Sequence, residues 1–269
     1  MNRAVTGSVA VPFAAALSLW LAPGVAAAQA PAAAAAGDVP RLADGHPDLS
    51  GVWWGGADIG GRRPGGPPGR PGGAGGTPPP SFMSLYQPAA AAHAATLSDQ
   101  NDPTLKCVPV AFGTLNVRLW NVGAVGQIIA TPKMVVMLSE TFHDYQLVPT
   151  DGRPHRDDAP PTYRGDSVGR WDGDTFVVDT TNFTDDTWMF AEGRVSHHSD
   201  ALRIVERYRR VNASTLEIET TVEDPKVLTG PWTVPKQTLQ LAPFDQILSL
   251  NCASDEAPAM IQSAEQRKK

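Results

Sequence analysis

Between Leu202 and Val222, apolar and polar residues alternate on either side of a short Asn212-Ala213-Ser214 break. Leu202, Val205 and Tyr208 also have the spacing of a helix. The clean alternation of Leu216, Ile218, Thr220 and Val222 instead favours a β-hairpin with one face on a core. Pairing Val211 with Thr215 sets Arg209 opposite Glu217 and Arg207 opposite Glu219, a charged outer ladder. Leu202, Ile204, Tyr208, Ile218 and Val222 then face inward. Glu206 joins them, opposite Thr220, and an ionised carboxylate there needs either a cationic partner or a raised pKa.

A second hairpin is predicted around Asp172-Gly173, a pair suited to a two-residue type I′ turn. That turn sets Trp171 opposite Asp174 and Gly169 opposite Phe176, whose ring can cover the bare glycine backbone. Trp171, Phe176 and Val178 share one face. Further strands are expected over 127–130, 134–139, 142–148, 232–241 and 246–252, and a helix over 82–99 interrupted at Pro88. Many short strands with close turn signals, and no βαβ alternation, predict an all-β fold: an antiparallel barrel (lipocalin-like) or a sandwich, with an irregular N-terminal segment.

The flanks read differently. Residues 1–30 carry Arg3, an apolar run and Ala28-Gln29-Ala30, the three parts of a secretory signal. The expected organisation is this signal, a flexible leader over 31–46, an N-terminal strand over 47–54, and a Gly/Pro-rich low-complexity insertion over 55–80. A β domain over 81–253 and a polar tail over 254–269 complete it. The insertion cannot bury enough surface to order itself. The signal places the chain in the periplasm or outside the cell, with no membrane span in the mature protein. In that oxidising setting the two cysteines, Cys107 and Cys252, are expected to pair. Closing a loop of about 145 residues would contribute about 4–5 kcal/mol; two buried thiols are the alternative.

Charge narrows the partners. The 22 Lys and Arg against 28 Asp and Glu give a net charge of −6 with no basic stripe, which disfavours nucleic acid. The expected partner is a small molecule or a short glycan.

Candidate chemistry begins in the polar, Pro-rich stretch 151–166, the kind of loop on which a β scaffold carries function. There Asp151 and Arg153 are candidate substrate contacts, Arg153 orienting an anionic or polar group, and His155 is a candidate proton carrier. Ser196-His197-His198-Ser199-Asp200 supplies a second proton carrier, His198, and Glu206 would assist from the inner face. Trp188, beside Asp185 and Asp186, is either a ligand wall or a core plug; Tyr208 and His143 complete the substrate-binding set. No cofactor is expected. A divalent ion on His197 and His198 with His143 or His155 is the lesser reading, because no HxH or HExxH spacing occurs. Gly165-Asp166-Ser167-Val168-Gly169 spells G-x-S-x-G, but a hairpin follows where a nucleophile elbow needs a helix.

Taken together, Asp151–His155, Gly165–Thr180, Trp188, His198–Leu202, Glu206–Arg210, Glu223–Pro225 and Pro231-Trp232 resemble the pattern of a family of exported Gram-negative bacterial proteins with no established reaction. Its pattern runs DGRPH, GxSxGRWxGDTxVVDT, HSxAL with ERxRR, then EDP and PW. The resemblance covers about a third of the chain and implies export and a shared scaffold; His197 and the Gly/Pro insertion lie outside it. The expected function is a metal-independent lyase, isomerase or hydrolase working by acid–base chemistry. A non-catalytic ligand carrier and a structural envelope protein tethered by the Gly/Pro segment are the alternatives.

Overall fold

The computed structural model describes residues 37–55, 80–111, 125–140, 142, 144–189 and 195–249, all within the unit Ala34–Lys269. The expected signal, the Gly/Pro insertion, His143, Cys252 and the polar tail lie outside the described residues. Nine antiparallel strands form one sheet: β1 (Gly51–Trp54), β2 (Val125–Ala130), β3 (Met134–Ser139), β4 (Asp144–Pro149), β5 (Asp166–Asp172), β6 (Thr175–Thr181), β7 (Arg203–Asn212), β8 (Thr215–Glu223) and β9 (Trp232–Leu241). Their order is β4-β3-β2-β1-β9-β8-β7-β6-β5. The two outer strands come together, so the sheet is nearly closed into a barrel. Among the described residues no β4–β5 ladder forms. Gly152 N–H instead donates to Gly169 O (2.9 Å), Gln146 donates to Ser167 Oγ (2.5 Å), and Arg164 pairs with Asp144 (2.6 Å).

The β7–β8 hairpin has the expected register over most of its length, with Arg209 opposite Glu217, Arg207 opposite Glu219 and Glu206 opposite Thr220. A bulge replaces the Val211–Thr215 pair by Asn212–Thr215. Arg209 meets Glu217 (2.7 Å), whereas Arg207 reaches across to Asp172 (2.8 Å) and Lys236 serves Glu219 (3.2 Å). The β5–β6 turn differs from expectation. Trp171 faces Phe176 and Gly169 faces Val178, so Gly173-Asp174 are the central residues. Only Gly173 there takes positive φ (59°), the pattern of a type II′ turn, which wants glycine first. The Phe176 ring nevertheless covers Gly169 along the diagonal, where an added Cβ would meet Cζ at 2.3 Å.

Residues 246–249 are not a strand. After β9 the chain bends at 243–245, with Ala242 N–H donating to Val52 O (2.8 Å). The segment instead packs Phe244 edge-on to Trp54 (5.6 Å), and Leu248 N–H donates to the Glu140 carboxylate (2.7 Å). The helix expected over 82–99 is three short pieces. Pro88 starts the middle one, α1 (Pro88–Ala94), at a position where proline's missing N–H costs nothing. A 3-10 turn, Phe82–Leu85, precedes it and Asp99–Asn101 follows. No described helix is long and apolar enough to cross a membrane.

The interior has three layers along β6–β9. Phe176, Val178, Tyr208, Leu216, Ile218 and Leu239 pack with Trp53 and Met137 at one end. Ile204, Val222, Trp232 and Val234 pack at the other, under Phe82, Tyr86, Ala90 and Ala94 of the helical segment. Between them runs a belt of buried polar side chains: Gln146, Ser167, Thr180, Glu206, Thr220 and Gln237. Pro235, which cannot donate to a ladder, lies at the β8–β9 irregularity beside this belt. Arg210 plugs the Trp53 end. Its guanidinium donates to Asp48 O (2.6 Å) and Ser50 O (3.1 Å) and lies 5.1 Å from the Trp53 ring centre.

Candidate functional site

At the other end, α1, the 185–188 segment, the 197–199 segment and the turn after β8 enclose an open cleft of about 500 Å³. Ala90 and Ala94 turn α1 toward the core, which leaves His93 on the rim. A bridge between Trp188 and His197, with Met189 N–H donating to Ser196 O (3.0 Å), fixes the two segments side by side. Trp188 is therefore both a core plug, 7% exposed, and a wall of the cleft.

Asp224 organises the floor. It is buried, and its carboxylate accepts from Ser199 N–H (2.6 Å), Ser199 Oγ (2.7 Å) and Lys226 N–H (3.1 Å). Ser199 in turn caps Ala201 N–H (3.0 Å), and its carbonyl faces His198 Nδ1 at 2.9 Å. A carbonyl only accepts, so neutral His198 carries its proton on Nδ1. Its Nε2 lone pair then accepts from the Thr187 hydroxyl at 2.7 Å. Burial lowers the His198 pKa and favours this neutral form. Both ring nitrogens are thus held by protein partners, and Thr187 itself is 1% exposed.

His197 is different. It is 9% exposed, lines the cleft, and its Nδ1 is buried without a hydrogen-bond partner. Tyr86 packs on it (4.8 Å between ring centres) and donates to its carbonyl (3.0 Å), while the His93 ring meets it edge-on at 4.8 Å. Burial, then repulsion from His93 and His198, lowers its pKa to about 4, so the ring is neutral at pH 7. A partnerless buried nitrogen costs about 1–3 kcal/mol.

The predicted proton carriers do not converge. His155 sits outside the barrel, where its Nδ1–H donates to Asp166 (2.9 Å) and its Nε2 lies 3.7 Å from Asp179, itself paired with Arg203 (2.6 Å). Asp151 and Arg153 form an exposed ion pair (2.7 Å), and the Arg153 hydrogen bonds lower the Asp151 pKa to about 2. Glu206 lies inside the polar belt, on a void of about 10 Å³ shared with Gln146, Arg164, Thr180 and Phe183. Burial raises its pKa to about 7, with Tyr208 and Arg164 opposing. The Tyr208 hydroxyl lies beside it, and burial raises its pKa as well. Phe183 touches both regions, lining the Glu206 void and meeting His198 edge-on at 6.2 Å.

Among the described residues of the predicted catalytic and substrate-binding set, then, His198 and Trp188 line the cleft, joined by His197, which was considered as a metal ligand. His93 and Asp224 were not among the predicted site residues. The Asp224-Pro225 pair and its turn were the available sequence signal for Asp224, and nothing along the chain marked His93. Among the described residues no group of three His, Cys, Asp or Glu side chains is assembled to hold a metal ion. Cys107 is not a free thiol. Comparison with protein-family models, curated proteins and solved structures finds no match.

Proposed function

We propose that the protein is an exported β-barrel that binds a small polar organic molecule or short glycan in the cleft beside α1. The observation that carries this reading is the cleft itself, about 500 Å³, walled by the Trp188 indole and the neutral, nearly buried His197 ring. Concave sites that set ring surface beside placed polar groups are where small polar ligands bind. Trp188, His93 and His197 offer ring surface. Export, the Cys107–Cys252 bond and kinship with the exported family belong to the same proposal, on the sequence features given above.

Proton-transfer chemistry is the catalytic form of the reading. It is favoured by the chain from Thr187 through His198 to the Ser199 carbonyl, which fixes one tautomer as a general base requires. The carrier form is favoured by the same chain, because it leaves His198 no free nitrogen. A ligand screen read by tryptophan fluorescence, followed by turnover assays on any hit, separates them. His197→Ala should weaken binding in both forms. Loss of turnover in His198→Gln with affinity retained marks an enzyme. Binding that survives His197→Ala unchanged refutes the site.

A further inference from the structure

The stretch from Asp151 to Asp158 is pinned to the barrel at its two ends and by one side chain between them. At one end Gly152 N–H donates to Gly169 O (2.9 Å). At the other, the Asn182 side-chain amide donates to Ala159 O (2.9 Å), and Thr162 N–H donates to Asn182 O (3.2 Å). From 151 to 158 every residue is exposed except His155. Its ring lies between carboxylates on neighbouring strands: Asp166 of β5 is 2.9 Å from Nδ1, and Asp179 of β6 is 3.7 Å from Nε2. Nε2 is closed off from solvent and makes no hydrogen bond.

A neutral ring can serve only one of these carboxylates. With the proton on Nδ1, the bare Nε2 turns its lone pair toward Asp179; the other tautomer turns a lone pair on Asp166. The imidazolium alone offers a donor to each. The other charges facing the ring have partners of their own. Arg203 of β7 pairs with Asp179 (2.6 Å) and with Glu223 of β8 (3.0 Å), and Arg153 pairs with Asp151 (2.7 Å). Arg156 pairs with Asp158 (3.4 Å) and reaches Asp166 only through its backbone N–H (3.3 Å). Among the described residues, therefore, His155 is the side-chain cation that meets Asp166.

We propose that His155 is a pH-operated latch: protonated, its ring bridges Asp166 and Asp179 and holds the stretch 151–158 against the outer face of β5 and β6; deprotonated, it releases that stretch. The sign follows from the partners. A cation that gains carboxylates on closing favours the closed form in acid, and the closed form gives way as pH rises through the range in which histidine loses its proton. One linked proton changes the ratio of closed to open by at most about tenfold per pH unit. The latch lies outside the barrel and does not depend on the cleft reading.

The test follows the backbone amides of Arg156, Asp157 and Asp158 in the full chain by heteronuclear NOE, together with the His155 ring signals, from pH 5 to pH 8. The three amides are expected to be as rigid as the sheet at pH 5 and mobile on the ps–ns timescale at pH 8, while Gly152 and Thr162 stay rigid throughout. Ring and amides should titrate with one midpoint. His155→Gln, checked for folding by thermal melt, should leave the three amides mobile at both ends of the range. Amide mobility that does not change with pH, or that changes with a midpoint different from that of the ring, overturns the proposal; the wild type alone decides this. A pH response that persists in folded His155→Gln overturns it as well.

Discussion

Replacing Glu206 by glutamine keeps the side-chain shape and removes its charge, which isolates the one carboxylate buried in the barrel interior. Burial lifts its pKa from an ordinary 4.5 to about 7. A carboxyl with a raised folded-state pKa binds its proton more tightly when folded than unfolded. Its contribution is therefore complete below pH 4.5 and is lost as pH rises toward 7, where the unfolded chain ionises first. Across that window the loss is about 3 kcal/mol, at about 1.4 kcal/mol per pH unit. Above pH 7 both states are ionised and the loss levels off. Urea unfolding of wild type and Glu206→Gln at half-unit steps from pH 4 to pH 8 measures the difference directly, because every other titrating group is common to both proteins. Near pH 4 the two should be of similar stability. By pH 8 the glutamine variant should be the more stable by about 3 kcal/mol. A difference that stays constant with pH would refute the reasoning, since it would mean that Glu206 does not change its protonation preference on folding.

The histidines behind the cleft have the opposite sign. With folded pKa values below the ordinary 6.5, and about 4 for His197, stability is complete above pH 6.5 and declines on acidification. His197→Gln should flatten that acid limb in the same unfolding assay. Gly169→Ala places a methyl group 2.3 Å from the Phe176 ring and 2.8 Å from Pro149 O, so a loss of about 1–3 kcal/mol or more is expected by urea midpoint. Asp224→Ala strips three hydrogen bonds from a buried turn and should cost about 3 kcal/mol in the same measurement. Arg210→Lys keeps the charge but loses the planar fork that spans several carbonyls, an expected cost of about 2 kcal/mol, read by thermal melt.

How much was legible varied with the reach of the signal. The β7–β8 register could be read because period-two alternation and a ladder of opposite charges act between residues close in the chain. The β5–β6 turn was placed wrongly by one residue because Asp-Gly suits one primed turn and Gly-Asp another; the two choices differ only in which position takes positive φ. The strand expected over 246–252 had adequate propensity. Its described part, 246–249, and Phe244 before it instead find Trp54 and the Glu140 carboxylate, each more than a hundred positions earlier, and propensity carries no trace of such partners. The cleft was least legible. His93 and His197 meet because α1 docks against the segment around His197, a contact with no periodic trace in sequence. In the polar loop over 151–166, Asp151, Arg153 and His155 proved to make ion pairs outside the barrel, while Arg164 reaches Asp144 and the Glu206 void. His198 drew notice as half of an adjacent pair, and its neighbour His197 also lines the cleft.

The four residues of β1 have an outsized topological role. Among the described residues they are the only strand that joins the β2–β4 meander to the β5–β9 meander through main-chain pairing, while β4 and β5 meet through side chains and a single amide. Trp53 and Trp54 pair with Leu241 and Gln240, among the most distant partners in the sequence. Contacts of such high order form late, because the entropy of closing a long loop must be met before they contribute. Until β1 docks, each meander carries an unpaired edge able to recruit a strand from another chain. The short first strand is thus the keystone that decides whether the two halves finish in one sheet or lend their edges to an aggregate.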